Sequence, residues 1–333
     1  MKSGSNNGKE ESKMIDTIYT HTGKIYVDRE RKLEFLTVGD YGKENNIKAD
    51  FLGLHKEING VQHHEVDLSD KWVATLSTQK GCPMHCQFCD CPKYGYHGDV
   101  SRYEFAYMLE TILGNESIDH TKRLNIHYAR MGEPTFNKEV LNFTEFDLKH
   151  CVSRFIKADT IHPVVSTMLP IHNWLLEDYL KRWCEIKNDV YDGEAGLQFS
   201  INSTDDIQRS VQFAGRSLPL KEISKIAYEL PMPVGRKYTL NFAVTAETIL
   251  DANVLSSLFD KEKFIVKITP IHKTDAAVKN GFNVTTEYTD YNVYRKFEQP
   301  LVAAGWDVIV FVPSEEEDKD RITCGNALIA LQN

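Results

Sequence analysis

The sequence lacks the hydrophobic runs that membrane proteins need. No stretch of about 18 consecutive apolar residues occurs in the chain, so we expect no membrane-spanning helix. The first fourteen residues lack the apolar core of a signal peptide and are rich in Lys, Ser, Asn, Gly and Glu, which predicts a disordered tail over 1–14. The 333 residues are enough for one large domain or two medium ones.

The cysteines lack the even number that a secreted disulfide framework would have. There are seven of them, which fits a reducing compartment and predicts a cytoplasmic protein. Cys151 and Cys184 fall within predicted helices, where a free cysteine is most often a buried structural thiol.

An excess of positive charge is also missing. The net charge is −9, whereas a protein that grips a long nucleic acid usually presents a basic face. Arg29, Arg31 and Lys32 form one candidate basic patch, and 221–236 contains another, but such groups are more often a solvated face. The charge balance argues mildly against a large RNA substrate.

Three cysteines stand out by their spacing. Cys82, Cys86 and Cys89 form a C-x-x-x-C-x-x-C motif, with Phe88 just before the last cysteine. On one tight loop, each thiolate can reach a different iron of a cubic [4Fe–4S] cluster, which leaves the fourth iron open to a small molecule; ordinary electron-transfer clusters are closed by four cysteines.

Two alternatives to an open cluster remain. A structural zinc site usually needs a second C-x-x-C or a His pair, and none follows at such spacing. A closed cluster could use Cys91, but that residue lies only two positions past Cys89 and is followed by Pro92, which makes simultaneous ligation awkward.

Hydrophobic periodicity predicts an α/β fold. We expect a small β-rich N-terminal element over 15–72, with strands at 25–27, 33–38, 49–54 and 72–76. Strands and helices then alternate, which implies a parallel sheet covered by helices. The predicted strands are 73–78, 123–129, 161–167, 196–202, 237–244 and 264–270, with a last strand at 306–312. The predicted helices are 101–115, 137–152, 171–187, 219–229, 248–259 and 287–304. Six strand–helix units fit a partial (β/α)6 barrel over 73–275, followed by a C-terminal extension over 276–333.

Polar residues follow several of these strands, where a barrel of this type places its chemistry. Gly132 and Glu133 end the second strand in the run M-G-E-P. A Gly-Glu pair at this position can direct a carboxylate at a cationic amino group. The alternative is that the run forms an ordinary strand-to-helix turn with no role in binding. Short polar side chains end other strands and can hydrogen-bond a ligand. These are Ser166, Ser200, Asn202 and His272.

These features resemble the radical S-adenosylmethionine (SAM) superfamily. The ordered motifs S-T-Q-K-G-C-P-M-H-C-Q-F-C, M-G-E-P-x-x-N, V-S-T, F-S-I-N, I-x-P-I-H and C-G-N-A-L resemble its RlmN/Cfr-type RNA adenine methylating branch. The resemblance covers about residues 70–330. It implies a radical SAM barrel, a [4Fe–4S] cluster on the three cysteines, and SAM bound by Gly132, Glu133 and the strand-end residues. It also implies an electron donor of the flavodoxin or ferredoxin type.

The resemblance further implies a role for Cys324. In that branch the tail cysteine is methylated by one SAM, and a 5′-deoxyadenosyl radical made from a second SAM abstracts hydrogen from the methyl group. The resulting methylene radical adds to an adenine ring carbon. Cys324 would then be the methyl carrier; the other interpretation is a buried structural thiol.

The sequence departs from the branch in four ways. Thr75 occupies the position of a cysteine that helps to release the product, and a hydroxyl cannot form the necessary disulfide. His272 stands in place of an asparagine. The helical RNA-binding domain is replaced by about seventy β-like residues, and the acidic run 315–318 precedes Cys324, where the branch is basic.

Three functions are therefore open. The first is methylation of an adenine carbon in RNA or a nucleotide by way of Cys324. The second is radical SAM chemistry on another substrate, such as a small molecule, nucleotide or peptide. The third is a non-catalytic Fe–S binding module, which the strand-end SAM-pocket pattern disfavours.

Overall fold

The computed structural model describes most of the chain. The described residues are 15–38, 56–58, 61–63, 67–284, 292–311, 319–322 and 328.

The chain begins with short antiparallel strands and then enters a parallel sheet. The early strands are β1 (Asp16–Tyr19), β2 (Gly23–Asp28), β3 (Leu33–Val38), β4 (Lys56–Ile58) and β5 (Val61–His63). The later strands are β6 (Trp72–Leu76), β7 (Gln79–Gly81), β8 (Tyr96–Asp99), β9 (His120–Tyr128), β10 (Lys157–Thr167), β11 (Gly196–Ser200), β12 (Tyr238–Val244), β13 (Phe264–Pro270) and β14 (Val308–Val310).

One ten-stranded sheet organises the molecule, in the order β1-β2-β3-β6-β9-β10-β11-β12-β13-β14. From β6 to β14 all neighbouring strands are parallel, while β1, β2 and β3 join antiparallel to one another and to β6. The small pairs β4–β5 and β7–β8 stand apart from this sheet. The N-terminal strands thus extend the same sheet that carries the site.

Helices connect the parallel strands, as a βα repeat requires. They are α1 (Arg102–Gly114), α2 (Glu139–Asn142), α3 (Leu148–Ser153), α4 (Leu176–Glu185), α5 (Asp206–Gln212), α6 (Leu220–Glu229), α7 (Ala252–Leu258), α8 (Asp275–Lys279) and α9 (Asn292–Ala303). The start of α1 shows the local cause: Ser101 Oγ accepts from the Glu104 N–H, and the Glu104 carboxylate accepts from the Ser101 N–H, which satisfies two unpaired backbone donors.

The core lies between the helices and the sheet. Trp72, Tyr128 and Phe199 on the strands are fully buried, as is Trp183 on α4. Trp183 also donates from Nε1 to the carbonyl of Gly196 at 3.0 Å, so its polar atom is satisfied inside an apolar environment.

The α/β prediction is confirmed, and each of the six predicted barrel strands corresponds to an observed one. The last predicted strand is β14, which continues the sheet beside β13. The predicted strand at 49–54 lies outside the described residues. None of the helices among the described residues is both long and apolar enough to cross a bilayer.

Three helix predictions were wrong in detail. The helix expected over 137–152 is interrupted by a π-helical turn at Phe143–Asp147, where Thr144 Oγ1 lies 2.6 Å from the Val140 carbonyl oxygen; such back-bonding competes with the regular ladder. The helix expected from 171 begins only at Leu176. The helix α5 was missed, although Asp205 caps it by accepting from the Gln208 N–H at 2.7 Å.

Candidate functional site

The three-cysteine loop and the Gly-Glu motif meet at the carboxyl ends of neighbouring parallel strands. The loop follows β6, the motif follows β9, and these two strands pair directly. This is the edge at which a parallel α/β barrel assembles its loops into an active site.

The three-cysteine loop is closed by a small antiparallel pair. The strands β7 and β8 pair on either side of it, and the Cys82 N–H donates to the Gly95 carbonyl at 3.0 Å. Gly81 has φ +81°, and a side-chain Cβ there would lie 1.7 Å from the Gly95 oxygen. Only glycine fits this close approach, so the first cysteine enters the loop at a fixed point.

Distant segments also hold the loop from outside. The Gln87 N–H donates to the Gln212 carbonyl at 2.8 Å, and Asn280 Nδ2 donates to the Gln87 carbonyl at 2.7 Å. Thr274 Oγ1 donates to the Phe88 carbonyl at 2.7 Å. These bonds connect the cysteine loop to the end of α5 and to the segment after β13. The backbone of the loop is therefore held by segments that are distant in the sequence.

Burial makes the thiols of Cys82 and Cys86 weaker acids than a free thiol, so they stay protonated when no metal is bound. Burial is the largest influence on the pKa of Cys82 and raises it to about 12, with Cys91 adding to the shift. Burial also raises the pKa of Cys86, with Cys82 as the next contributor. A bound metal would reverse this, because thiolate ligation releases protons.

Cys82, Cys86 and Cys89 are the residues that the sequence predicts to hold a metal group. Within the part of the chain that the structure describes, no three His, Cys, Asp or Glu side chains converge on one metal ion. A cubic cluster does not require convergence, because each thiolate binds a different iron. Cys91 is buried, and its Sγ donates to the Arg130 carbonyl at 3.4 Å. That Cys91 is not a fourth ligand stays a prediction.

The Gly-Glu motif is attached directly to the start of the loop. The Met131 carbonyl accepts from the Thr78 N–H at 2.8 Å and from the Gln79 N–H at 3.2 Å. Gly132 has φ +100°, and a Cβ there would lie 2.6 Å from Thr78 Oγ1. The motif therefore needs glycine for both its conformation and its space.

Glu133 is a buried carboxylate surrounded by neutral donors. It is 3% exposed and accepts from the Met168 N–H at 3.0 Å, from the Thr135 N–H at 3.1 Å and from Thr135 Oγ1 at 2.8 Å. Burial raises its pKa, and these hydrogen bonds oppose the shift only in part. A ligand ammonium would stabilise the charged form of such a group.

The other predicted residues lie along the same edge of the sheet. Ser166 and Ser200 stand at or next to the ends of β10 and β11, and Ser166 Oγ accepts from Gln198 Nε2 at 3.2 Å. Asn202 has φ +61° and accepts at Oδ1 from the Ala243 N–H at 3.1 Å. His272 lies two residues past β13. Their contact with a ligand stays a prediction.

Two further residues organise the site but were not singled out from the sequence. Asn137 Nδ2 lies 2.7 Å from the Thr78 carbonyl oxygen and 2.8 Å from that of Val100. Gln79 Oε1 accepts from the Glu133 N–H at 2.9 Å. Each had a sequence signal in a quoted motif: Asn137 ends M-G-E-P-x-x-N, and Gln79 is the third residue of S-T-Q-K-G-C-P-M-H-C-Q-F-C.

Some of the positions at which the sequence departs from the RlmN/Cfr-type branch lie among the described residues. Thr75 lies on β6 opposite Leu36 and His127. In one predicted basic patch, Arg31 donates to the Asp28 carboxylate at 2.9 Å and Arg29 to that of Asp16 at 3.0 Å, which reduces the charge available for phosphates. Cys324 and 315–318 lie outside the described residues. Cys151 and Cys184 are buried, as predicted.

Two known proteins whose sequences are similar to this chain are named as RNA methyltransferases. The chain is 30% identical over 110 residues to "Dual-specificity RNA methyltransferase RlmN" of Aliarcobacter butzleri, covering 32% of this chain and 31% of that protein. It is 24% identical over 264 residues to "Probable dual-specificity RNA methyltransferase RlmN" of Heliobacterium modesticaldum, covering 77% of this chain and 62% of that protein. The chain thus spans less than two thirds of the length of these relatives. No family model matches it.

A solved structure supports the fold. A radical SAM methyltransferase from Sphaerobacter thermophilus superposes with a TM-score of 0.54 at 16% identity, over 89% of this chain and 76% of that one. At this identity the similarity establishes the shared α/β architecture.

Proposed function

We propose that the protein, which is similar in sequence to proteins named RlmN, binds a [4Fe–4S] cluster and SAM and methylates an adenine carbon in RNA or a nucleotide. The observation that supports this most strongly is the junction at Met131, whose carbonyl joins the start of the cysteine loop to the Gly-Glu motif through two backbone hydrogen bonds. These bonds connect the segment that leads to the proposed cluster ligands with the segment of the proposed SAM-binding carboxylate, which supports the proposal.

The three loop cysteines and the Gly-Glu motif have separate roles in the proposed reaction. Cys82, Cys86 and Cys89 would hold the cluster, which when bound supplies the electron that cleaves SAM to methionine and a 5′-deoxyadenosyl radical. Glu133 would accept a hydrogen bond from the SAM ammonium, and Gly132 lets the motif pack closely against Thr78 and Gln79. Burial of Glu133 excludes water, which strengthens this charge-assisted contact.

The proposed methyl carrier is Cys324. Its thiolate attacks the methyl group of one SAM, so that a sulfur–carbon bond forms, S-adenosylhomocysteine leaves, and the thiol proton passes to solvent. Release of the finished product needs a second thiol, and Thr75 cannot supply one. Cys91 is the proposed substitute, because it shares an apolar cluster with Ile322 and Leu328, which flank the carrier segment.

The experiment is peptide mapping after exposure to methyl-labelled SAM, combined with nucleoside analysis of RNA. We expect one added methyl group on Cys324. Cys324→Ala should still release 5′-deoxyadenosine with dithionite but should give no methylated adenosine. An unmodified Cys324, together with full RNA methylation by Cys324→Ala, would overturn the proposal.

The second candidate is radical SAM chemistry on a different substrate. Two observations favour it over an RNA substrate. Thr75 stands in place of the thiol that helps to release the product, and Arg29 and Arg31 are paired with carboxylates, which leaves less positive charge for phosphates. The same labelled incubation with a cell-extract metabolite pool distinguishes the two, because the methyl group would then appear in a small molecule or peptide and not in RNA. A pure Fe–S module would release no 5′-deoxyadenosine.

A further inference from the structure

Two buried side chains outside the proposed chemistry form an ion pair between separate parts of the chain. Glu34 lies on β3 and Arg130 follows β9, and their side chains are 0% and 3% exposed. Arg130 Nε donates to Glu34 Oε1 at 2.6 Å, and Nη2 lies 2.5 Å from the same oxygen. A buried pair is tolerated only when its geometry is good and its other polar atoms are also satisfied.

The other polar atoms of this pair hold the carboxyl-terminal tail. Glu34 Oε2 accepts from the Leu328 N–H at 2.7 Å. Arg130 Nη1 donates to the Ile322 carbonyl at 3.2 Å. One ion pair therefore fixes a residue on each side of 323–327, a stretch that lies outside the described residues.

The two anchored tail residues pack against the functional site itself. Ile322 and Leu328 are buried in one apolar cluster with Met131 of the Gly-Glu motif, and Cys82 packs against that cluster. In the sequence, Cys324 is two residues from Ile322.

We propose that Glu34 and Arg130 are positioning residues for the segment that contains the methyl carrier. They act through Leu328 and Ile322, not on the substrate, and they hold the tail beside the Gly-Glu motif. This inference rests on the proposed function for its catalytic consequence, whereas the anchoring can be measured by itself.

The test replaces the pair with apolar side chains of similar volume, Glu34→Leu together with Arg130→Met. Such a replacement is often neutral for stability, so the protein should stay folded while both tail contacts are lost. The matched control is Glu116→Gln, which breaks the ion pair with Lys24 on the adjacent strand β2 (2.8 Å) but touches neither tail residue. Amide hydrogen exchange of the tail peptide 319–333 is measured first, on the reconstituted protein.

We expect the Leu328 amide to exchange about tenfold faster in the double variant, the factor for losing one charge-assisted hydrogen bond, and to be unchanged in Glu116→Gln. SAM cleavage should continue while methylation of Cys324 falls about tenfold or more, so that cleavage and methyl transfer become uncoupled. Unchanged exchange, or cleavage and methylation falling in parallel, would overturn the positioning role. If Cys324 of the unaltered protein takes no methyl group, the proposed function fails, and the exchange result alone then decides the anchoring.

Discussion

The buried carboxylate of Glu133 allows the sharpest prediction. Glu133→Gln keeps the size of the side chain and removes the negative charge. Its single oxygen can accept from Met168 or from Thr135 but not from both, because these donors bond to different oxygens of Glu133. A hydrogen bond to a charged group is worth about 1.5–3 kcal/mol, which corresponds to about 10- to 150-fold in the SAM dissociation constant. Because Glu133 is 3% exposed, solvent screening should reduce this loss little.

The assay is equilibrium dialysis of labelled SAM against anaerobically reconstituted protein. Glu139→Gln is the matched control, since it alters a carboxylate six positions on, which accepts from Asn142 Nδ2 at 3.1 Å and lies outside the motif. Equal cluster content and equal melting temperatures would show that both variants are folded. SAM affinity within twofold of the unaltered protein in Glu133→Gln would refute the assignment of this carboxylate to the SAM ammonium.

Three further predictions concern the cluster, the glycine and pH. Alanine at any one of the three cluster cysteines should abolish iron incorporation, while Cys91→Ala should retain it, as iron and sulfide analysis will show; loss of iron in Cys91→Ala would mean a closed cluster. Gly132→Ala should cost about 1–3 kcal/mol of unfolding free energy, since Cβ would meet Thr78 Oγ1 at 2.6 Å, and an unchanged urea midpoint would contradict this. Burial raises the pKa of Glu133, so its contribution to stability is present below the unfolded-state pKa and is lost as pH rises through the folded-state pKa. Protein without SAM should therefore lose stability over that interval relative to Glu133→Gln, and SAM affinity should rise over it; parallel stability curves would exclude this titration.

The sequence by itself determined the order of the strands along the chain and the position of the motifs relative to the strand ends. The alternation of short strand-like segments with helical segments predicted the six parallel strands, because such an alternation implies a parallel sheet covered by helices. The three-cysteine spacing and the Gly132-Glu133 pair could be located at strand ends without coordinates, since both are local patterns set by turn geometry and ligand chemistry.

Only the tertiary structure decided how these local patterns combine. The break at Thr144 depends on a hydroxyl that turns back to the Val140 carbonyl, and the late start of α4 accompanies the Asn173 side chain donating to the Thr135 carbonyl at 2.8 Å. The Glu34–Arg130 pair joins residues 96 positions apart in sequence. Contacts of this kind depend on the positions of strands in space, and a one-dimensional pattern of hydrophobic and polar residues contains no record of them.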